Sequence, residues 1–295
     1  MSQSPSPVRL VWATDLSEPA ALAGQRAAAW LKDSGGALLA IHVLNPGLMA
    51  QMRQLLDADV AMPQRIADEA LKELTQALSD LQLPDTVTFQ AKVLQGPLLT
   101  TLLDEVQRHQ ADALVLGAQG EGMVRRLILG STAERLVGRS ATPVLVVRQP
   151  AQPYRRVLVP VDFSPASLRA LTNARRLCPG ARLLALHVFE VPFEHKMRAA
   201  GVEQDTLYRL ELKARQQAFE QMAQFVKQAG LSSDDLDMIV AHGSAPRIIL
   251  AHAEHEACDL VVMGKRADHA MEDLLIGSVT RHVLSEAAQD VLVVA

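Results

Sequence analysis

ADALVLGAQGEGMVRRLILGSTAERL, residues 111–136, is the stretch on which the fold turns. It opens with an apolar run, Ala113 to Leu116, that reads as a buried strand, and closes on a helical segment, Ser131 to Gly138. Between them stand Gly117, Gly120 and Gly130. Glycines permit positive φ and let backbone N–H groups come close to a bound group. Gly130-Ser131-Thr132 opens a helix whose first N–H groups lack intrahelical partners and carry partial positive charge. Strand, glycine-lined loop and helix N-terminus in that order suit a phosphate. The same residues also fit a plainer reading, with turn glycines and a serine that caps a helix.

The stretch recurs as CDLVVMGKRADHAMEDLLIGSVTRHV, residues 258–283. Gly117 and Gly264, Gly130 and Gly277, and Ser131 and Ser278 all stand 147 residues apart. So do Asp15 and Asp162, Gly96 and Gly243, and Asp112 and Asp259. A fixed offset over that many positions marks a duplication. His42 and His187 are 145 apart, so two residues were lost and regained in loops. QPAQPY, residues 149–154, holds two prolines that stop helix and interior strand alike, and reads as the linker between domains 1–148 and 154–295.

In the first copy, working outward, strands are expected at Val8 to Ala13, Ala37 to Val43, Val87 to Leu94, Ala113 to Leu116 and Val144 to Val147. Helices are expected over Pro19 to Lys32, from Leu48 to Leu83 with a break at Pro63, over Pro97 to His109, and over Ser131 to Gly138. The second copy carries a matching long helix over His195 to Ala229. Apolar strands without polar alternation, each separated by a helix, form a parallel sheet covered on both faces. Right-handed crossovers make it doubly wound, with ligands beyond the strand ends where the winding reverses.

A chain of 295 residues with 29 Lys and Arg against 33 Asp and Glu, net charge -4, offers no basic footprint for nucleic acid. No apolar run is long enough to cross a bilayer, and MSQSPSPVRL lacks the parts of a signal peptide, so a cytoplasmic protein without a membrane partner is expected. Cys178 and Cys258 read as buried thiols. His252, His255 and Cys258 lie at spacings of three on an alanine-rich helix, but without the HExxH pattern they are read as structural, and no metal site is assigned to them. TDLSEP follows the first strand where a dehydrogenase needs GxGxxG, and GxxxxGK[ST] is absent. No catalytic residues are assigned, and the chain is not read as an enzyme.

The spacing of Gly117, Gly120 and Gly130-Ser131, with an Asp after the first strand, resembles the ATP-binding motif of the universal stress protein family, and both halves fit that family's domain. The resemblance implies two tandem Rossmann-like α/β domains, each a five-stranded parallel sheet of order 3-2-1-4-5. It implies a nucleotide site lined by Thr14, Asp15, Val43, Gly117, Gly120, Gly130, Ser131 and Thr132. It implies ATP, with magnesium or manganese, and a cytoplasmic nucleotide-dependent regulatory or protective role in stress. It also implies pairing of the two domains through their last strands, Val144 to Val147 and Val291 to Val294, and association into a homodimer.

The second copy carries a weaker candidate site at Asp162, Val188, Gly264, Gly277, Ser278, Val279 and Thr280. There Ala267 replaces Gly120, a strained change if that position needs positive φ, and Glu272-Asp273 replaces Arg125-Arg126, a repelling change if the pair faces the ligand and a neutral one if it faces solvent. Lys265 and Arg266 partly offset that change. The expectation is that the first copy binds ATP and the second binds weakly or not at all. Two alternatives stay open: a nucleotide-free, chaperone-like interaction protein, and a weak metal-dependent ATPase that acts through Asp15. His42 and His187, each closing a second strand, share a role that the sequence does not name.

Overall fold

The computed structural model describes residues 7–47, 50, 62–120, 129–232, 234–266 and 276–295. The chain divides into two compact units, Met1–Pro153 and Tyr154–Ala295. Domain 1 runs β1 (Val8–Ala13), α1 (Glu18–Ser34), β2 (Gly36–Leu44), α2 (Met62–Asp80), β3 (Val87–Gln95), α3 (Leu98–Arg108), β4 (Ala113–Gly117), α4 (Ser131–Arg139) and β5 (Val144–Val147). Its strands pair in parallel in the order β3-β2-β1-β4-β5.

Domain 2 runs β6 (Arg156–Pro160), α5 (Pro165–Leu177), β7 (Arg182–Phe189), α6 (Glu194–Ala199), α7 (Gln204–Gln228), β8 (Leu236–His242), α8 (Ala245–His255), β9 (Leu260–Gly264), α9 (Ser278–Glu286) and β10 (Asp290–Val294). Its parallel order, β8-β7-β6-β9-β10, repeats that of domain 1. In each domain the winding reverses between the first strand and the fourth, β1 and β4 or β6 and β9, so their C-terminal ends frame a crevice.

The strands are the apolar runs of the sequence, and the central ones are covered on both faces. Leu10 and Val11 are wholly buried, as are Leu114, Val115, Leu145 and Val146. Trp12 fits under α1 because position 24 is glycine: a Cβ there would lie 2.6 Å from the indole ring. The indole Nε1 donates to the Ala20 carbonyl at 2.8 Å, so the buried ring leaves no polar atom unmet. Positions 159 and 171, 147 residues further on, hold Val159 and Leu171, both fully buried. A large strand residue with a glycine in one copy answers a smaller one with leucine in the other, conserving volume.

Of the helix expected from Leu48 to Leu83, Met62–Asp80 is helical, with Pro63 next to its first described residue. Residues 48–49 and 51–61 of that expected helix lie outside the described residues. The single helix expected over His195 to Ala229 is two, α6 and α7. Gly201, at φ +77, takes the left-handed conformation that ends a helix, and its N–H donates to the Arg198 carbonyl.

Candidate functional site

The turn after β1 is built from Thr14, Asp15, Leu16 and Ser17. The Ser17 N–H and hydroxyl both donate to Asp15 Oδ1, and the Leu16 N–H donates to Thr14 Oγ1. Ser17 in turn caps α1, accepting from the Ala20 N–H, with Pro19 in the first turn. Asp15 is therefore not the cap. It braces the cap residue and stands at the crevice wall. Domain 2 repeats this: the Ser164 N–H and hydroxyl donate to Asp162 Oδ1 at 3.1 and 2.6 Å, and Ser164 caps α5.

The loop after β4 approaches that turn. A Cβ on Gly117 would lie 2.7 Å from the Pro19 carbonyl oxygen, and one on Gly120 would lie 2.6 Å from Asp15 Oδ2. Neither glycine has positive φ. The expectation that alanine would strain the backbone at position 120 is thus corrected: the constraint is close approach to a carboxylate. The Gly130 N–H donates to the Ala118 carbonyl at 2.8 Å and turns the chain into α4. Gly130, not Ser131, occupies the cap position, and among the described residues no side chain caps this helix. The α4 N-terminus is an electropositive end open to a ligand.

These pieces enclose a crevice of about 600 Å³ in domain 1, lined by all eight residues singled out from the sequence: Thr14, Asp15, Val43, Gly117, Gly120, Gly130, Ser131 and Thr132. Sequence reasoning missed Leu98 and Leu102, which wall the β2 side of it from α3. Their i, i+4 spacing just after Gly96-Pro97 was the available signal. His42 also lines it, and among the described lining residues only Asp15 and His42 are ionisable.

Domain 2 has a crevice of about 360 Å³, lined by Asp162, Val188, Gly264, Gly277, Ser278, Val279 and Thr280. Ala245 and Ile249 take the places of Leu98 and Leu102, and Arg266 stands where domain 1 has Gln119. Thr280 donates its hydroxyl to the Gly264 carbonyl at 2.9 Å, tying α9 to the end of β9 where Ala133 in domain 1 has no hydroxyl. Arg125, Arg126, Ala267, Glu272 and Asp273 lie outside the described residues; among the described lining residues the charge difference is Arg266 for Gln119, which places a cation in domain 2.

Away from the crevices, Cys258 follows α8 and is buried, its thiol pushed up to about 11 by burial first and then by the nearby Glu256 and Asp259 carboxylates. Among the described residues no group of three or more His, Cys, Asp or Glu side chains is placed to hold a metal. No helix among them is long and apolar enough to cross a membrane.

Fold and crevice together define a tandem doubly wound α/β protein with one cleft at the switch point of each sheet. The chain belongs to the universal stress protein family, whose model matches it twice, over residues 8–148 and 153–295. It is similar to a universal stress protein of Mycolicibacterium smegmatis, 27% identical over 272 residues, 86% of this chain and 85% of that one. One from Mycobacterium bovis is 30% identical over 200 residues, 63% of this chain and 62% of that one. Among solved structures, a universal stress protein from Archaeoglobus fulgidus superposes with a TM-score of 0.69 at 19% identity, covering 97% of both chains, a likeness of fold.

Proposed function

We propose that domain 1 binds ATP in its crevice and that nucleotide occupancy serves a regulatory or protective role in a cytoplasmic stress response. One observation carries the reading. The crevice is lined by apolar side chains, Val43, Leu98 and Leu102, and by a polar, glycine-rich stretch, Gly117, Gly120, Gly130 and Ser131, with the Asp15 carboxylate against Gly120. An apolar slot for a base, a carboxylate near the sugar or a magnesium or manganese ion, and an uncapped helix N-terminus for phosphates match a nucleotide in layout. The close approach of Gly120 to Asp15 leaves backbone there without a side chain to fill the space. Domain 2 takes the same ligand more weakly, because its crevice is smaller, about 360 Å³ against about 600 Å³.

Mass analysis of small molecules released from the freshly purified, denatured protein, followed by calorimetry with ATP and magnesium, tests the reading. Ser131→Asp and Ser278→Asp separate the domains: an acid in the first turn favours the helix but repels a phosphate at its N-terminus. Ser131→Asp is expected to remove most of the affinity and Ser278→Asp little. No release of nucleotide together with no calorimetric binding overturns the proposal, and loss confined to Ser278→Asp overturns the division between domains.

A further inference from the structure

Two histidines, one per domain, make the same contact. His42 Nδ1 lies 2.9 Å from the Thr14 carbonyl oxygen, and His187 Nδ1 lies 2.8 Å from that of Val161. A carbonyl oxygen only accepts, so each ring carries a hydrogen on Nδ1. Thr14 and Val161 are the residues just before Asp15 and Asp162. The residues just after those acids, Leu16 and Phe163, sit at φ 66 and 64, in the left-handed region that side chains with a Cβ resist. Such a conformation persists only where its surroundings hold it.

Here the residue before the acid is held at both ends. The Thr14 N–H donates to the Ile41 carbonyl at 3.0 Å, while the Thr14 carbonyl takes the His42 hydrogen. The Val161 N–H donates to the Leu186 carbonyl at 2.8 Å, and the Val161 carbonyl takes that of His187. In domain 2 the Phe163 ring also packs on His187, centroids 4.3 Å apart. The crevices differ in volume and lining, yet the histidine contact is the same in both. A role inside the protein explains that constancy better than contact with a ligand.

We propose that His42 and His187 are positioning residues: each Nδ1–H holds the carbonyl that precedes the left-handed turn and so sets Asp15 or Asp162 in its crevice wall. The consequence for nucleotide rests on the reading of domain 1 as an ATP site; the turn itself needs no ligand. Because both the neutral Nδ1–H tautomer and the imidazolium keep that hydrogen, the turn is held in either charge state.

Asparagine carries its amide nitrogen as many bonds from Cα as Nδ1, whereas glutamine places it one bond further. The full chain is therefore studied as His42→Phe, His42→Asn and His42→Gln. In the ligand-free wild type, imidazole nitrogen shifts are expected to report the Nδ1–H form for both histidines. The Leu16 and Ser17 amide signals should move in His42→Phe and His42→Gln and return in His42→Asn. ATP affinity should fall about tenfold in the first two and stay within about threefold in the third, the scale of one hydrogen bond. An Nε2–H form in the wild type overturns the proposal, as does a loss of affinity in His42→Phe with the Leu16 and Ser17 signals unmoved. If the signals follow the expected pattern while the wild type binds no ATP, the nucleotide reading fails and the positioning role stands. Should His42→Phe not fold, the same three changes at His187, read at Phe163 and Ser164, decide the matter.

Discussion

Asp15 Oδ2 stands where a side chain at position 120 would begin: a Cβ on Gly120 would come within 2.6 Å of it. The atom approached is the far end of a side chain, yet it is not free to swing, because Oδ1 of the same carboxylate holds the N–H and hydroxyl of Ser17. Gly120→Ala must therefore shift either the loop or the acidic turn, both of which line the crevice. ATP affinity is expected to fall about tenfold, about 1.4 kcal/mol, while thermal stability changes little. Calorimetry beside a melting curve checks this, and unchanged affinity would show that the approach has no bearing on binding.

Trp12 and Gly24 make a stability prediction that involves no ligand. Trp12→Val alone opens a cavity under α1 and is expected to destabilise domain 1 by about 3 kcal/mol. Gly24→Leu alone drives a side chain into the indole, at a loss of about 1–3 kcal/mol. Together they install the pair that domain 2 carries as Val159 and Leu171. The double variant should be markedly more stable in urea than the sum of the single losses implies. Simple additivity would mean that the two positions do not share one packing site.

How far the chain was legible follows from what each feature depends on. The 147-residue offset, the strand runs and the glycine loop are local patterns, and the crevice in domain 1 gathers all eight residues drawn from them. Gly201 was missed as a helix end because the residues on both sides keep a helical pattern and only its φ of +77 reveals the stop. The meaning of Gly120 was misjudged because its neighbour, Asp15, is more than a hundred residues away in sequence. The bond from His42 to Thr14 joins the ends of two adjacent strands, and a single sequence records that both residues exist but not that they meet.

Cys258 is expected to be chemically silent in the folded protein. Burial pushes its thiol up to about 11, so at pH 8 only about one molecule in a thousand carries the reactive thiolate there. Timed alkylation with iodoacetamide, read by peptide mapping, should leave Cys258 unlabelled in buffer and label it fully in denaturant. Rapid labelling in buffer would mean that the end of α8 opens readily.

Glu105 supplies a pH dependence. It is buried on α3, and the hydrogen bond from Lys92 holds its carboxyl below the usual range of 4.5, against a burial that raises it; Arg108, donating at 2.6 Å, adds to the lowering. A carboxylate whose folded pKa is depressed stabilises the fold above its unfolded pKa and loses that contribution as pH falls through the folded value. Glu105→Gln should therefore destabilise domain 1 by about 2 kcal/mol at pH 7, the scale of charge-assisted hydrogen bonds. The difference from wild type should shrink steadily below about pH 4.3, where the unfolded carboxylate takes up its proton. Urea titrations of both proteins across that window check the sign: a gap that widens on acidification would place the stabilising form of Glu105 with its proton on and contradict the pairing with Lys92.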